Sequence, residues 1–311
     1  MSRRLVIGSR GSKLAMWQAE QAKARLFALY PEVDVSIEII KTTGDVKTDP
    51  LSVIGGKGVF TKELEDALLD RRIDLAVHSL KDLPTVLPDG LTISAICKRD
   101  DPRDALVVRD DLKARSDSIL NLPEKAVIGT SSQRRVAQLK ALRGDVVVKD
   151  VRGNVDTRLR KLDEGQYEAL ILASAGLRRL ELEDRIALDI STTEMVPAVG
   201  QGAIAIETRA DDEFVIETTG SLDHEETRLC CIAERAFLRS LGGGCQFPIA
   251  GHAIIDEELL RLDGLVATPD GAKILRDQLS GALANPEELG ASLAAVLIER
   301  GANSLLNSRY V

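Results

Sequence analysis

A strand-like apolar run followed by a helix-like pattern recurs along the first two thirds of the chain, and this limits the possible folds more than any other feature. The first copy has strand patterns at 5–8, 35–40 and 75–78 and helix patterns at 12–29 and 60–68. The second copy has strand patterns at 126–129, 146–148 and 169–172 and helix patterns at 135–142 and 155–162. Such alternation is typical of parallel sheets with helices on both faces, so we predict two α/β units.

The C-terminal part of the chain follows a different pattern. Asp223 offers a cap for a long helix pattern that runs through Phe237, and two strand-like runs flank the turn signal at 268–271. Asn285 and Pro286 then begin a final helix. The predicted fold class is therefore α/β, with two doubly wound domains followed by a small C-terminal α+β domain.

Composition excludes several classes of function. The formal net charge of −8 over 311 residues gives no general basic surface for nucleic acid. We find no apolar run of membrane-spanning length and no signal-peptide core after Met1, and no His or Cys spacing typical of a metal site. We predict a cytoplasmic protein that binds no nucleic acid, membrane or metal.

Arginines follow each of the three parallel strands predicted in the second unit. Arg134 and Arg135 fall in the first turn of a helix, where the helix dipole disfavours a cation unless an anion is bound. Arg152 and Arg179 follow the next two strands. Because the carboxyl ends of parallel strands share an edge, we predict one anionic-ligand crevice there. A solvated basic turn is the alternative.

Asp82 is the single acid among the cationic motifs that follow the strands of the first unit. It lies in His78-Ser79-Leu80-Lys81-Asp82-Leu83-Pro84, and the other motifs of this unit are 8–13 and 55–58. Neither a Walker loop nor a dinucleotide-binding glycine motif occurs. An acid in such a set is expected to act on the ligand, and a helix or turn cap is the alternative.

Cys245 follows three consecutive glycines, which leave open space beside its sulfur. Such a thiol can carry a bulky group, although a tight turn with an incidental cysteine gives the same pattern. We expect the other three cysteines, Cys97, Cys230 and Cys231, to be ordinary residues of apolar segments.

Together these motifs resemble the porphobilinogen deaminase (hydroxymethylbilane synthase) family over almost the whole chain. The matching segments, in the order of the family, are Arg10-x-Ser12, Gly55-Gly56-Lys57-Gly58, 78–84, Asp101-Pro102-Arg103-Asp104-Ala105, 129–132, Arg134-Arg135, Arg152-Gly153-Asn154, 197–202 and Gly243-Gly244-Cys245-Gln246. Each motif is weak by itself, but the combination is specific.

The resemblance implies a transferase that joins four porphobilinogen molecules into hydroxymethylbilane with release of ammonia. It implies a dipyrromethane cofactor bound covalently to Cys245, porphobilinogen and its oligomers as the ligands, and a monomer. The implied domains are 1–102 with 197–218, then 103–196, and finally 219–311, the first two resembling type II periplasmic binding proteins. A non-enzymatic anion-binding protein of the periplasmic type is the alternative, but it would leave Cys245 unexplained.

The same resemblance assigns roles to individual residues. Asp82 is the implied catalytic residue. The implied cofactor-binding residues are Cys245, Ser79, Lys81, Thr130, Ser131, Ser132, Arg134, Arg135, Arg152 and Gly153. The implied substrate-binding residues are Arg10, Ser12, Lys57, Phe60, Arg158, Arg179 and Gln201. Three positions depart from the family pattern, namely Val53, Gln133 and Asp156.

Overall fold

The computed structural model describes residues 3–46, 58–115, 117–244 and 247–307. Cys245, Lys57 and Val53 lie outside these residues. The chain divides into two compact units, of which the first comprises Met1–Asp100 and Ala203–Leu229 and the second comprises Asp101–Gly202 and Cys230–Val311.

The first unit is built around a mixed sheet with the strand order β2-β1-β3-β10-β4 in its described part. The strands are β1 (Arg4–Ser9), β2 (Asp34–Ile39), β3 (Leu75–Ser79), β4 (Leu91–Ile96) and β10 (Ile204–Arg209), and the helices are α1 (Lys13–Leu29), α2 (Thr43–Val46), α3 (Lys62–Leu69) and α7 (Glu213–Gly220). Strand β1 runs parallel to β2 and β3, whereas β10 runs antiparallel to β3 and β4.

Apolar residues of this first sheet alternate between two cores. Leu5 and Val77 pack with Leu26 of α1 on one face. Ala76 packs with Leu64 of α3 on the other face. Because successive strand residues point to opposite faces, this alternation requires a helix on each side and gives the doubly wound arrangement.

The second unit contains a similar sheet with the order β7-β6-β8-β5-β9 among the described residues. Its elements are β5 (Asp104–Val108), β6 (Val127–Gly129), α4 (Gln133–Leu142), β7 (Val147–Lys149), α5 (Val155–Asp163), β8 (Ala169–Ala173), α6 (Ser174–Arg179) and β9 (Leu188–Ile190). Leu139 of α4 packs on one face of the sheet, and Leu159 and Leu162 of α5 pack on the other.

The C-terminal part of the second unit is an antiparallel sheet covered by helices. Its elements are β11 (Ile249–Asp256), β12 (Leu259–Ala267), β13 (Ile274–Ala282), α9 (Pro286–Glu299), α10 (Ala302–Asn307) and residues 230–240 of α8 (Glu225–Ser240). Phe237 is fully buried in its core together with Leu262 and Leu293. No helix in the described ranges is long and apolar enough to cross a membrane.

The predicted fold class is confirmed, since two sheet-and-helix arrangements are followed by a small three-stranded sheet with helices. The predicted cap at Asp223 is wrong. Helix α8 begins at Glu225, and the preceding residue, His224, caps it by accepting a hydrogen bond from the Thr227 backbone N–H at 3.3 Å. The carboxylate of Asp223 instead accepts from the Ile96 N–H at 2.6 Å. The three-domain division stays a prediction.

Candidate active site

Three βα junctions of the second unit lie at one edge of its sheet. Strand β6 is parallel to both β7 and β8, so the chain leaves all three strands on the same side. Strand β5 runs the opposite way, and its first residue, Asp104, is paired with Ala173 at the end of β8. The edge predicted to carry the arginines therefore also carries a buried carboxylate.

Asp104 receives both arginines of the first junction. Its Oδ2 lies 2.6 Å from Nη1 of Arg134, and its Oδ1 lies 2.7 Å from Nη2 of Arg135. Gln201 donates from Nε2 to Oδ1 at 3.0 Å and to the carbonyl of Pro102 at 2.7 Å. Asp104 and Gln201 are at most 1% exposed, and the two arginines at most 6%.

Burial and the neighbouring charges act in opposite directions on Asp104. Burial alone would raise the pKa of Asp104, but the charges of Arg134 and Arg135 outweigh burial and hold that pKa well below its ordinary value of 3.8. One carboxylate thus accepts hydrogen bonds from two guanidinium ions in a region closed to water. Nε of Arg134 is also buried without a hydrogen-bond partner among the described residues. The cluster fits a further anionic group.

Two of the three hydroxyl residues of the first junction, Ser131 and Thr130, form hydrogen bonds within the unit. Ser131 donates to the carbonyl of Val151 at 2.6 Å, and it accepts from the N–H of the same residue. Thr130 is buried, and its hydroxyl accepts from the N–H of Ser132 at 3.3 Å. Ser132 precedes α4 without capping it through its side chain. These bonds hold the loop before α4 against the loop after β7.

The second and third junctions also place arginines at this edge. Arg152 is partly exposed and contacts Asp150 at 3.0 Å, while Nε of Arg158 donates to the carbonyl of Gly153 at 2.8 Å. Gly153 has a positive φ of 107°, and a Cβ there would lie 2.7 Å from Cγ2 of Thr157. Arg179 is buried and donates to the carbonyl of Gly202 at 2.6 Å.

Glu234 supports Gln201 from α8. Its carboxylate is fully buried and accepts from the N–H of Gly200 at 2.7 Å and from the N–H of Ala253 at 2.8 Å. Gly200 and Gly202 on either side of Gln201 have positive φ angles of 72° and 87°, which favour glycine. The C-terminal sheet is thereby tied to the segment that presents Gln201 to Asp104.

In the first unit, Asp82 lies in a short 3₁₀ turn, Leu80–Asp82, directly after β3. Its side chain is exposed, and its carboxylate forms no hydrogen bond or ion pair with the described residues. Lys81 beside it is half-buried. Ser79 at the end of β3 accepts a hydrogen bond from Nε2 of Gln18 at 2.9 Å.

Arg10 and Phe60 lie together near the same edge of the first sheet. Arg10 follows β1 directly, and its guanidinium carbon lies 4.3 Å above the centre of the Phe60 ring. The ring also fills the space beside Gly44, where a Cβ would come within 2.1 Å of it. Ser12 caps α1 by accepting from the N–H of Ala15 at 3.3 Å.

Sequence reasoning missed the role of Asp104. The signal was an acid at the start of the otherwise apolar run Asp104-Ala105-Leu106-Val107-Val108. A buried acid needs compensating partners, and a cation is a common one. Among the described residues no group of three or more His, Cys, Asp or Glu side chains could hold a metal ion.

Comparisons with known proteins cover nearly the whole chain. The family model "Porphobilinogen deaminase, dipyromethane cofactor binding domain" matches residues 5–217, and "Porphobilinogen deaminase, C-terminal domain" matches residues 228–299. The porphobilinogen deaminase of Chromobacterium violaceum is 50% identical over 97% of this chain and 97% of that protein. That of Synechococcus elongatus is 50% identical over 99% of this chain and 96% of that protein.

Solved structures that match part of the chain are more distant in sequence. A periplasmic binding protein of Salmonella typhimurium is 10% identical, with a TM-score of 0.41, over 71% of this chain and 91% of that protein.

Proposed function

The chain belongs to the porphobilinogen deaminase family, whose members are the hydroxymethylbilane synthases of tetrapyrrole biosynthesis, and from this premise we propose the reaction that it catalyses. It joins four porphobilinogen molecules head to tail, releases one ammonia for each molecule added, and releases the linear product by hydrolysis. In each addition the methylene carbon of porphobilinogen loses ammonia and bonds to a ring carbon of the acceptor, which gives up its proton.

The buried Nε of Arg134, which has no hydrogen-bond partner among the described residues, carries this proposal, because the rings of such a ligand bear acetate and propionate groups. The family's dipyrromethane cofactor, when bound, supplies the ring carbon that accepts the first unit. We propose that Cys245 anchors it and that Arg134, Arg135 and Arg152 bind its carboxylates. A guanidinium pairs with a carboxylate through two parallel hydrogen bonds, and each charged bond contributes about 1.5 to 3 kcal/mol. The other proposed cofactor contacts are Ser79, Lys81, Thr130, Ser131, Ser132 and Gly153.

Asp82 is proposed to stabilise the positive charge that develops when ammonia leaves. The departing amine leaves an azafulvene whose charge is shared with the ring nitrogen, and a carboxylate held next to that N–H lowers the energy of this state. The exposed position of Asp82, without a protein partner among the described residues, leaves its carboxylate available to a ligand.

The incoming porphobilinogen carries two carboxylates of its own. We propose that Arg10, Ser12, Phe60, Arg158, Arg179 and Gln201 bind it, together with Lys57. Stacking on Phe60 orients the guanidinium of Arg10, while the partial exposure of Arg158 leaves part of its guanidinium facing solvent.

Intact-mass measurement of the purified protein tests the covalent part of the proposal. We expect the protein to exceed its sequence mass by one dipyrromethane, and we expect further increments of one pyrrole unit after incubation with porphobilinogen. Cys245→Ala should give folded protein without the added mass and without ring addition. Cys231→Ala, at a buried cysteine, is the matched control and should keep both.

Release of ammonia distinguishes the proposal from the alternative of a non-enzymatic anion-binding protein. A protein that binds porphobilinogen tightly but releases no ammonia and gains no mass would support that alternative. The monomeric state and the cytoplasmic location stay predictions, and light scattering of the purified protein tests the first of them.

A further inference from the structure

The position of Asp82 depends on the backbone that carries it. A carboxylate stabilises a developing charge only if it is already held in place, and the side chain of Asp82 has no partner among the described residues. The turn itself is held by Leu80, which is buried and donates from its N–H to the carbonyl of Ala203 at 3.0 Å. Leu83 after the turn is buried too. What fixes the end of β3 therefore also fixes the backbone that carries this carboxylate.

A buried pair links β3 to β10 just before this turn. Nε2 of His78 lies 2.9 Å from Oε2 of Glu207. His78 is 5% exposed and Glu207 is fully buried. In the ladder His78 is opposite Ala205, and Glu207 is opposite Ala76, so the side chains meet diagonally across the two strands. The bond lies one residue before Ser79, the last residue of β3.

The same layer contains a second buried acid. Glu65 of α3 is 6% exposed. Burial raises the pKa of its carboxyl, and the charge of Glu207 raises that pKa further. Oε1 of Glu65 and Oε1 of Glu207 have no hydrogen-bond partner among the described residues. Arg209, further along β10, is bound to Asp74 and Asp212.

Such a polar layer is a poor source of stability. Desolvation of two buried polar groups offsets most of their attraction, and apolar replacements of similar size are often at least as stable. A buried pair can instead fix one register of the strands that it joins. Here the strand end that it fixes is the one that leads into the Asp82 turn.

We infer that His78 is a positioning residue for Asp82: its bond to Glu207 holds the end of β3 against β10 and so holds the turn that presents the carboxylate. This inference rests on the proposed role of Asp82. No contact of His78 with substrate or cofactor is involved.

Steady-state consumption of porphobilinogen by holoenzyme variants tests the inference. In H78L/E207L both partners become apolar, so we expect the melting temperature and KM to stay close to wild type while kcat falls about 10- to 100-fold. In E207Q the amide oxygen still accepts from His78, so kcat should stay within about threefold of wild type. A merely structural role would not give a lower kcat with an unchanged KM in H78L/E207L, nor a kcat close to wild type in E207Q.

Two further comparisons keep the result decisive. Val35→Ala removes buried side-chain volume from β2 and should lower the melting temperature without lowering kcat. If H78L/E207L fails to fold, the kcat values of H78Q and H78N are compared instead. The glutamine amide can reach Glu207, whereas the shorter asparagine amide cannot span this distance. A wild-type kcat in H78L/E207L or in H78N would overturn the inference. So would a loss of kcat in E207Q or H78Q that is as large as the loss in H78L/E207L or H78N.

The proposed function fails separately from this inference. If wild-type protein consumes no porphobilinogen, the reaction itself is wrong and the positioning role falls with it. If the wild type is active and the His78 variants match it, only the positioning role is wrong.

Discussion

Asp82 is the residue on which the proposed chemistry depends most directly. Asp82→Asn keeps the size of the side chain and one acceptor oxygen but removes the charge. We expect holoenzyme with this change to bind porphobilinogen normally and to add a ring about a hundred- to a thousandfold more slowly. Single-turnover measurement of one ring addition separates the chemical step from product release.

Asp89→Asn is the matched control for Asp82→Asn, because Asp89 is also an exposed acid of the first unit. It should leave the rate unchanged. Ring addition at the wild-type rate in Asp82→Asn, with only weaker binding of porphobilinogen, would make Asp82 a binding residue.

Asp104 makes the stability of the second unit depend on pH. Its pKa is lowered by Arg134 and Arg135 in the folded protein, whereas the unfolded chain has the ordinary value of 3.8. An acid of this kind contributes its full stability above its unfolded pKa, and the contribution is lost as the pH falls toward its folded pKa. The Asp104→Asn variant lacks this term at every pH.

Urea unfolding of wild type and Asp104→Asn over a pH series measures the contribution of the Asp104 carboxylate to the free energy of unfolding. We expect a loss of about 3 kcal/mol in the free energy of unfolding above about pH 5, because one partner of a buried pair is removed, and a shrinking difference below about pH 4. Asp111→Asn, at a surface pair with Arg109, should change little. A difference that grows on acidification would contradict the assignment.

At the level of helices, α9 approaches α8 closely at Gly290. A Cβ there would lie 2.2 Å from the carbonyl of Ala233 and 2.7 Å from the N of Phe237, both on α8. Gly290→Ala therefore has to push α9 away from α8, and we expect a loss of about 1 to 3 kcal/mol in the free energy of unfolding. Chemical denaturation measures it.

Ser292→Ala is the control for Gly290→Ala, since Ser292 is exposed on the same helix. Its free energy of unfolding should stay close to wild type. If both variants are equally stable, the two helices do not pack as closely as the structure shows.

Local patterns predicted the elements of the sheets better than their pairing. The helix expected at 135–142 starts two residues earlier, at Gln133, and the strand expected at 35–40 is shifted by one residue. Such shifts are normal, because helical spacing and strand alternation are strong inside an element and weak at its ends. The antiparallel pairing of β5 with β8 and that of β10 with β3 had no local signal, since each joins residues far apart in the chain.

The candidate site shows the same division between local and distant information. Arginines in the first turn of a helix predict an anion from sequence alone, and the structure places Asp104 there. That Asp104 lies beside these arginines was not visible, because it is 30 residues before Arg134. The pairing of His78 with Glu207, 129 residues apart, was hidden for the same reason.

Across the whole molecule, the sign of the charge differs between the chain and its candidate site. The chain carries a formal net charge of −8, yet the proposed ligand gains two carboxylates with each added ring. An acidic protein repels such a ligand at long range, so the binding energy has to come from a few arginines at short range. Each added ring then requires a further arginine to bind its carboxylates. The length of the enzyme-bound pyrrole chain at which a variant stalls therefore shows which ring the replaced arginine binds.

Leucine replacements of Arg10, Arg152 and Arg158 test this division of labour. Each removes a guanidinium fork and keeps some bulk, so we expect elongation to stall, with a different distribution of enzyme-bound chain lengths for each variant in intact-mass spectra. Arg109→Leu is the control, because Arg109 follows the end of β5 at the opposite edge of the second sheet. Identical wild-type distributions in all three variants would mean that the growing chain is bound elsewhere. Equal stalling at the first addition would mean that the three arginines act on the cofactor or the first substrate together, and not in succession.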